Sequence, residues 1–106
     1  MTDLFDYLQT QKNEGGAVLG SYTVTDINMV APKPQAFLFT AEGTGKRKGK
    51  LLTVAIKEAN GSAGDSYEVD VTDTITTKTF SYAALSRQAV EQFLQTGLMP
   101  TADEPF

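Results

Sequence analysis

The chain has 106 residues, of which 41% are hydrophobic and 21% charged, and its formal net charge is −4. This length is typical of a single domain. Cysteine and histidine are both absent, which excludes disulfide bonds, thiolate chemistry, the common zinc and haem sites and histidine-based acid–base catalysis. No segment is apolar enough to span a bilayer, and the N-terminus lacks the pattern of an export signal. We therefore expect a cytoplasmic, non-catalytic domain without metal or cofactor.

The first residues of the chain show apolar side chains at helical spacing, and the next residues alternate between apolar and polar side chains as strands do. The segment "TDLFDYLQTQKNEGG" places Leu4, Phe5 and Leu8 on one stripe before two glycines, which predicts a short helix. The next segment, "AVLGSYTVTDINMV", is rich in β-branched residues and alternates in polarity, so it is predicted to be the first strand. The segment "APKPQ" ends this strand because neither proline can donate to a sheet ladder.

Further strands and one more helix are predicted downstream. The segments "AFLFTA", "KLLTVAIKE" and "SYEVDV" read as strands, and "TDTITTKTF" continues as a bent strand or a short fifth one, with a bulge or turn near residues 72–76. A helix is then predicted in "LSRQAVEQFLQTGL", where Ser86 is a good N-cap and Gly97 can take the left-handed position at the end. Ser81 is the alternative start of this helix.

This order of elements predicts an α+β, mainly β fold. We expect an antiparallel curved sheet or small barrel of four to five strands, with a C-terminal helix and a short N-terminal helix; an OB-fold is the alternative. The C-terminal helix would cover one face of the sheet and leave the other partly open. The predicted core spans residues 1–97 and a tail spans 98–106. The sequence leaves the oligomeric state open, a homodimer included.

Positive charge is concentrated after the second predicted strand. Five of the nine basic residues fall within twelve positions: Lys46, Arg47, Lys48, Lys50 and Lys57. The segment "EGTGKRKGK" lacks the spacing of a phosphate-binding P-loop and has strands on both sides, so nucleotide binding is rejected. A glycine-hinged hairpin that carries cations is suited to contact a sugar–phosphate backbone. A solvated hairpin tip is the alternative interpretation.

Aromatic residues suggest a second kind of contact. Phe37 and Phe39 point to one face of the second strand and Leu38 to the other, so both faces of this strand are apolar. Single-strand binders stack unpaired bases on exposed aromatic rings. Phe37, Phe39 and Tyr22 are therefore candidate base-stacking residues. Burial in the core is the alternative for the two phenylalanines, and Leu38 would then be half-exposed.

Three acids near the predicted fourth strand form another candidate site. Glu68, Asp70 and Asp73 resemble a carboxylate cluster that could hold magnesium or act as an acid–base pair. The alternate positions of Glu68 and Asp70 along the strand are more typical of a solvated face. We therefore predict neither a metal site nor catalysis there.

The chain ends in "TADEPF", and a Pro-Phe ending is rare in a chain of average composition. Its last four residues, Asp103, Glu104, Pro105 and Phe106, resemble the acidic C-terminal tip of bacterial and phage single-stranded-DNA-binding proteins. The resemblance implies a docking peptide, in which the terminal Phe enters a pocket on replication and repair partners and a basic rim holds the carboxylates. The order of strands and helix in the body is similar to the transcriptional coactivator and Whirly class of single-strand binders. Together these likenesses suggest a virus- or phage-encoded protein.

The residues and the resemblance predict a non-catalytic protein that coats single-stranded DNA and recruits replication or recombination proteins through its tail. Two other functions stay open. One is a phage-encoded interaction module or inhibitor of a host nucleic-acid enzyme, in which the acidic body and tail imitate nucleic acid. The other is a structural or assembly protein of a virion, which would form large oligomers and would not bind DNA.

Overall fold

A computed structural model of the protein describes residues 4–32, 35–58 and 66–97. Its elements, in chain order, are α1 (Leu4–Glu14), β1 (Ala17–Val18), β2 (Tyr22–Pro32), β3 (Gln35–Gly43), a 3₁₀ turn (Gly45–Arg47), β4 (Leu51–Glu58), β5 (Tyr67–Asp73), β6 (Thr79–Leu85) and α2 (Arg87–Thr96). With 11 and 10 residues, neither described helix has the length or the apolar composition needed to cross a membrane.

The strands form one antiparallel sheet, curled into a half-barrel, in which each strand pairs with the next in chain order. The predicted α+β, mainly β architecture with a helix at each end is confirmed. The described residues contain six strands where four to five are predicted. The sheet is consistent with an OB-like fold in being small, antiparallel and curled, although its strands pair strictly in chain order.

A tight turn divides the predicted first strand in two. Leu19 and Gly20 both have left-handed backbone angles, with φ of 53° and 82°. The N–H of Leu19 donates to the carbonyl of Leu94 at 2.7 Å, in the last turn of α2. The N–H of Gly20 donates to the carbonyl of Gln95 at 3.0 Å. Carbonyls in the last turn of a helix have no donor within the helix, so this turn caps α2 and joins it to the first strands of the sheet.

Helix α2 begins and ends where the sequence predicts. The Ser86 hydroxyl accepts a hydrogen bond from the N–H of Ala89 at 3.1 Å. Gly97 has a φ of 77° and donates its N–H to the carbonyl of Phe93 at 2.8 Å. A Cβ on Gly97 would lie 2.6 Å from the carbonyl oxygen of Leu19. Both the left-handed angle and the close approach therefore require glycine at the end of α2.

The predicted bend after β5 is a turn between two strands. The Asp73 side chain organises it, because Oδ1 accepts hydrogen bonds from the N–H groups of Ile75 at 2.9 Å and Thr76 at 3.2 Å. The N–H of Asp73 donates to the carbonyl of Lys78 at 2.8 Å and closes the turn. Strand β6 follows, so the alternative helix start at Ser81 is wrong.

Asp73→Asn is expected to lower the free energy of unfolding by about 1–2 kcal/mol near neutral pH, because a charged acceptor of two hydrogen bonds becomes neutral. The N–H of Thr76 lowers the pKa of the Asp73 carboxyl most; the N–H of Ile75 and the charge of Lys50 lower it further, against burial, which raises it. A lowered folded-state pKa gives stabilisation that is complete above the unfolded-state value of 3.8 and is lost as the pH falls through the folded-state value.

Urea denaturation of wild type and Asp73→Asn at neutral and strongly acidic pH measures this effect. The stability difference between the two proteins should shrink as the carboxylate of the wild type is protonated. A difference that stays constant with pH would mean that the charge of Asp73 does not stabilise the turn.

Both helices pack on one face of the sheet, and this face carries the core. The apolar strand residues buried there are Val18, Tyr22, Val24, Phe37, Phe39, Ala41, Leu52, Val54, Ile56, Tyr67, Val69, Val71 and Leu85. Helix α1 adds Leu4 and Leu8, and helix α2 adds Val90, Phe93 and Leu94. The rings of Phe5 and Phe37 meet edge to face, with centroids 5.6 Å apart, an arrangement that aromatic pairs prefer. The opposite face is left for other contacts, and we call it the open face.

Candidate nucleic-acid interface

The open face carries a row of threonines that crosses five strands. The register places four of them side by side on β3 to β6: Thr40, Thr53, Thr72 and Thr79. Thr25, at a bulge in β2, joins the row because its hydroxyl lies 2.8 Å from that of Thr40. The hydroxyls of Thr72 and Thr79 are 3.1 Å apart. We call these five residues the threonine row; it offers hydroxyl and methyl groups to anything that lies across the sheet.

The β3–β4 hairpin brings cations to one end of the sheet. Its tip is a 3₁₀ turn between Gly45 and Gly49, whose φ angles of 56° and 95° are left-handed. Lys46 and Lys48 are exposed, and Lys50 is half-buried at the base of the hairpin. None of these three lysines forms an ion pair with another described residue. The charges of Lys46 and Lys48 are therefore available to an anionic ligand, whereas the charge of Lys50 also acts on the carboxyl of Asp73.

Hydrogen bonds at the base of this hairpin join it to two neighbouring turns. The N–H and the hydroxyl of Thr44 donate to the carbonyl of Ser21 at 2.8 and 3.0 Å. The N–H and the hydroxyl of Thr74 both donate to the carbonyl of Leu51 at 3.0 Å. The turn that contains Thr74 also contains Lys78, which the sequence gives no reason to group with the hairpin. The resulting cluster, which we call the basic end, comprises Lys46, Arg47, Lys48, Lys50 and Lys78.

Lys57 is not part of the basic end. It lies near the far end of β4, between Ala36 on β3 and Glu68 on β5. At about 3.3 Å per residue, the extended chain from Lys50 to Lys57 spans roughly 23 Å. The prediction of one patch that includes Lys57 is therefore wrong, because the length of the strand carries this residue to the opposite end of the sheet.

The predicted base-stacking rings lie in the core. Phe37 and Tyr22 each expose 2% of their surface and Phe39 exposes none. All three share the face that the helices cover, so the prediction that they form an open stacking platform is wrong. Leu38 is the half-buried residue on the open face, as the alternative interpretation predicts. The large apolar area of an aromatic ring makes its burial in a central strand favourable.

A depression of about 350 Å³ lies on the sheet away from the basic end. It is lined by residues of β2 to β6, including the small side chains of Ala36, Ala55 and Ser81. The charged residues that line it are Lys57, Glu68 and Asp70. Acids outnumber cations in this depression, so it is less suited to a polyanion than the basic end.

The three acids at β5 do not act together. Glu68 and Asp70 are exposed on the open face, which confirms the predicted solvated face. Asp73 is only 8% exposed and belongs to the turn before β6. Among the residues that the structure describes, no group of three or more acidic side chains could hold a metal ion.

The predicted docking residues Asp103, Glu104, Pro105 and Phe106 lie outside the described residues, together with the whole of the tail 98–106. No known protein family, no curated protein and no solved structure matches this chain. The resemblance of the tip to single-stranded-DNA-binding proteins therefore stays a prediction from four residues.

Proposed function

We propose that this protein binds single-stranded DNA without catalysis and that the basic end contacts the phosphates. The observation that supports this most is the meeting of four lysines from two separate turns: Lys46, Lys48, Lys50 and Lys78. None of them forms an ion pair with another described residue. A chain with a net charge of −4 that collects cations in this way has a defined site for a polyanion. Binding to phosphates releases condensed counterions, so the affinity depends on salt.

The threonine row extends the proposed site across the sheet. With strands about 4.8 Å apart, five threonines on neighbouring strands span roughly 19 Å. Threonine hydroxyls donate to phosphate and sugar oxygens, and such contacts position a strand without reading its sequence. Among the described residues, the open face carries no aromatic side chain, because Phe80 and Tyr82 pack towards the core. The proposed binding is therefore mainly electrostatic, with little contribution from base stacking.

Two double variants with the same change in charge test this site. Lys46→Gln with Lys48→Gln removes two phosphate contacts, and each contact contributes about −0.7 to the log–log salt slope on single strands. We therefore expect weaker binding of oligo-dT and a slope that is flatter by about 1.4. Lys12→Gln with Lys57→Gln is the matched control, because both lysines are exposed, Lys12 on helix α1 outside the sheet and Lys57 near the far end of β4.

Fluorescence anisotropy with labelled oligo-dT at several salt concentrations measures both variants. The control pair should bind nearly as the wild type does. An equal loss in the two pairs would mean that net charge rather than the basic end sets the affinity, and the proposed site would be wrong.

We further propose that the tail recruits replication or recombination proteins. The sequence of its last four residues supports this. Gly97 lies against the turn 19–21, and Thr44 of the basic hairpin donates to that same turn. The acids of the tail therefore follow closely after a point beside the basic end, where they can compete with DNA. We expect the wild type to capture replication proteins and Phe106→Ala to lose this capture. Equal capture by the two proteins would contradict a docking role for the tail.

The acidic surface of the sheet favours a second candidate function. Glu42, Glu68 and Asp70 are exposed on the open face, where they could imitate phosphates towards a host nucleic-acid enzyme. An inhibitor of this kind would show no saturable binding of oligo-dT even at low salt. If the protein also inhibited such an enzyme, acidic mimicry would replace DNA binding as the proposed function.

A further inference from the structure

Strand β6 is an edge of the sheet that the structure describes, and it carries no charged or proline side chain to protect that edge. Within the described residues it pairs with β5 alone. At the other edge, β1 has two residues, and the turn that follows it is bonded to the end of α2. Edge strands present unpaired N–H and C=O groups, and proteins protect them with lysine, proline or other charges. The sequence of β6, "TFSYAAL", contains no charged residue and no proline.

The hydrogen-bond pattern shows which backbone groups of β6 face away from β5. The N–H of Asp73 donates to the carbonyl of Lys78 at 2.8 Å and its carbonyl accepts from the N–H of Thr77 at 2.7 Å, so the backbone groups of Asp73 face the β6 side, as those of a residue in a hydrogen-bonded pair do. Such pairs alternate with non-hydrogen-bonded pairs along an antiparallel ladder. In the observed register, Phe80 and Tyr82 are then the residues that bond to β5. The backbone groups directed to the open side are those of Thr79, Ser81 and Ala83.

We propose that two copies of this chain pair β6 with β6, antiparallel, about a twofold axis at Ser81. In this register Ser81 lies opposite Ser81 of the second copy, and Thr79 lies opposite its Ala83. Each of these pairs can exchange two backbone hydrogen bonds. The two sheets then become one continuous sheet, in which both threonine rows lie on the same side.

The side chains of β6 suit a second copy better than an unrelated strand. Phe80 lies opposite Tyr82 of the second copy in a non-hydrogen-bonded pair, where side chains approach most closely. Both rings are half-buried on the core side of the sheet, and aromatic cross-strand pairs are stabilising. A twofold axis brings identical residues together, so a charge near the axis would be repelled by its own copy. The absence of charge in β6 removes this repulsion.

Ala84 limits the length of the proposed interface. The pairing of β5 with β6 shifts register between Tyr67 and Val69, and Ala84 has a left-handed φ of 57°. A bulge of this kind bends the strand and disrupts the ladder. The pairing edge therefore runs only from Thr79 to Ala83, and so short an interface implies a dimer that depends on concentration.

Charge substitutions at the proposed axis test the dimer. Ser81→Lys and Ser81→Asp should each convert a dimer of twice 11.4 kDa into a monomer in sedimentation equilibrium, because like charges then meet. A mixture of the two variants should regain the dimer mass, since opposite charges then meet. Asn28→Lys is the matched control: Asn28 lies in the same cross-strand row as Ser81 but on β2. This control should dimerise as the wild type does.

Amide hydrogen exchange gives a second, residue-specific readout. The N–H groups of Thr79, Ser81 and Ala83 should gain protection as protein concentration rises, whereas those of Phe80 and Tyr82 should be protected at all concentrations. A wild type that sediments at 11.4 kDa at every concentration would overturn the proposal. A dimer that both Ser81 variants retain, or one that leaves the exchange of Ser81 unchanged, would overturn it as well.

Discussion

Phe39→Ala is expected to lower the free energy of unfolding by about 3–5 kcal/mol. The ring is fully buried on a central strand, where the register places it between Ile27 and Val54. Its removal leaves a cavity that the neighbouring strands cannot fill. Because small domains are stable by only about 5–15 kcal/mol, a large part of the stability should be lost. Urea denaturation of the wild type and the variant measures the difference.

Leu38→Ala is the matched control, one residue away on the same strand. Leu38 is half-buried on the open face, so its truncation removes less buried apolar area and should cost clearly less. Folded Phe39→Ala should also keep its affinity for oligo-dT, because the ring does not reach the open face. A stable Phe39→Ala variant that had lost affinity for oligo-dT would contradict the placement of this ring in the core.

Replacement of Lys46, Lys48, Lys50 and Lys78 by glutamine is expected to abolish most binding of single-stranded DNA. Five cations at the basic end, each contributing about −0.7, give a log–log salt slope of roughly −3.5 for the wild type. The quadruple variant keeps only Arg47, so its slope should fall to about −0.7. Lys46, Lys48 and Lys78 are exposed, and such surface substitutions usually change stability by less than about 0.5 kcal/mol each. Lys50 also acts on the carboxyl of Asp73, and circular dichroism would confirm that the fold is retained.

The comparison at low salt is the most sensitive, because counterion release then favours binding most. A quadruple variant that kept the slope of the wild type would place the phosphate contacts elsewhere on the molecule. If the Lys46 and Lys48 double variant lost as much affinity as the quadruple variant, the phosphate contacts would lie on the tip of the hairpin.

Local signals were sufficient for most of the elements. The helix start at Ser86 and its end at Gly97 depend on one hydroxyl and one glycine, and both act within a single turn of helix. The division of the first strand was not predictable in the same way. Leucine rarely adopts a φ of 53°, and at Leu19 this conformation accompanies hydrogen bonds to α2, which is distant in the sequence.

The assignment of β6 shows how tertiary contacts override a local pattern. Ser81 is followed by apolar residues at helical spacing, which suggests a helix start. Phe80 and Tyr82, however, are two residues apart, which places both on one face of a strand. Pairing with Val71 and Val69 satisfies this segment as β6. The sequence contains both patterns, and the neighbouring strand decides between them.

The composition of the candidate site depends on the sheet register. The alternation in β3 indicates that Phe37 and Leu38 face opposite sides, but only the positions of the helices show which side is the core. Similarly, Lys78 joins the basic end because Thr74 bonds to Leu51, while Lys57 is carried away along β4. Which strands pair, and in which register, depends on contacts between residues that are distant in the sequence, and one sequence alone predicts these contacts poorly.

Titration of labelled oligo-dT with the wild-type protein, followed by fluorescence anisotropy from low to high salt, tests single-strand binding by the basic end most directly. We predict saturable binding at low salt and an affinity that falls by roughly 10³-fold or more for a tenfold rise in salt, as a slope near −3.5 requires. No saturable binding at the lowest salt, or an affinity that does not change with salt, would contradict it.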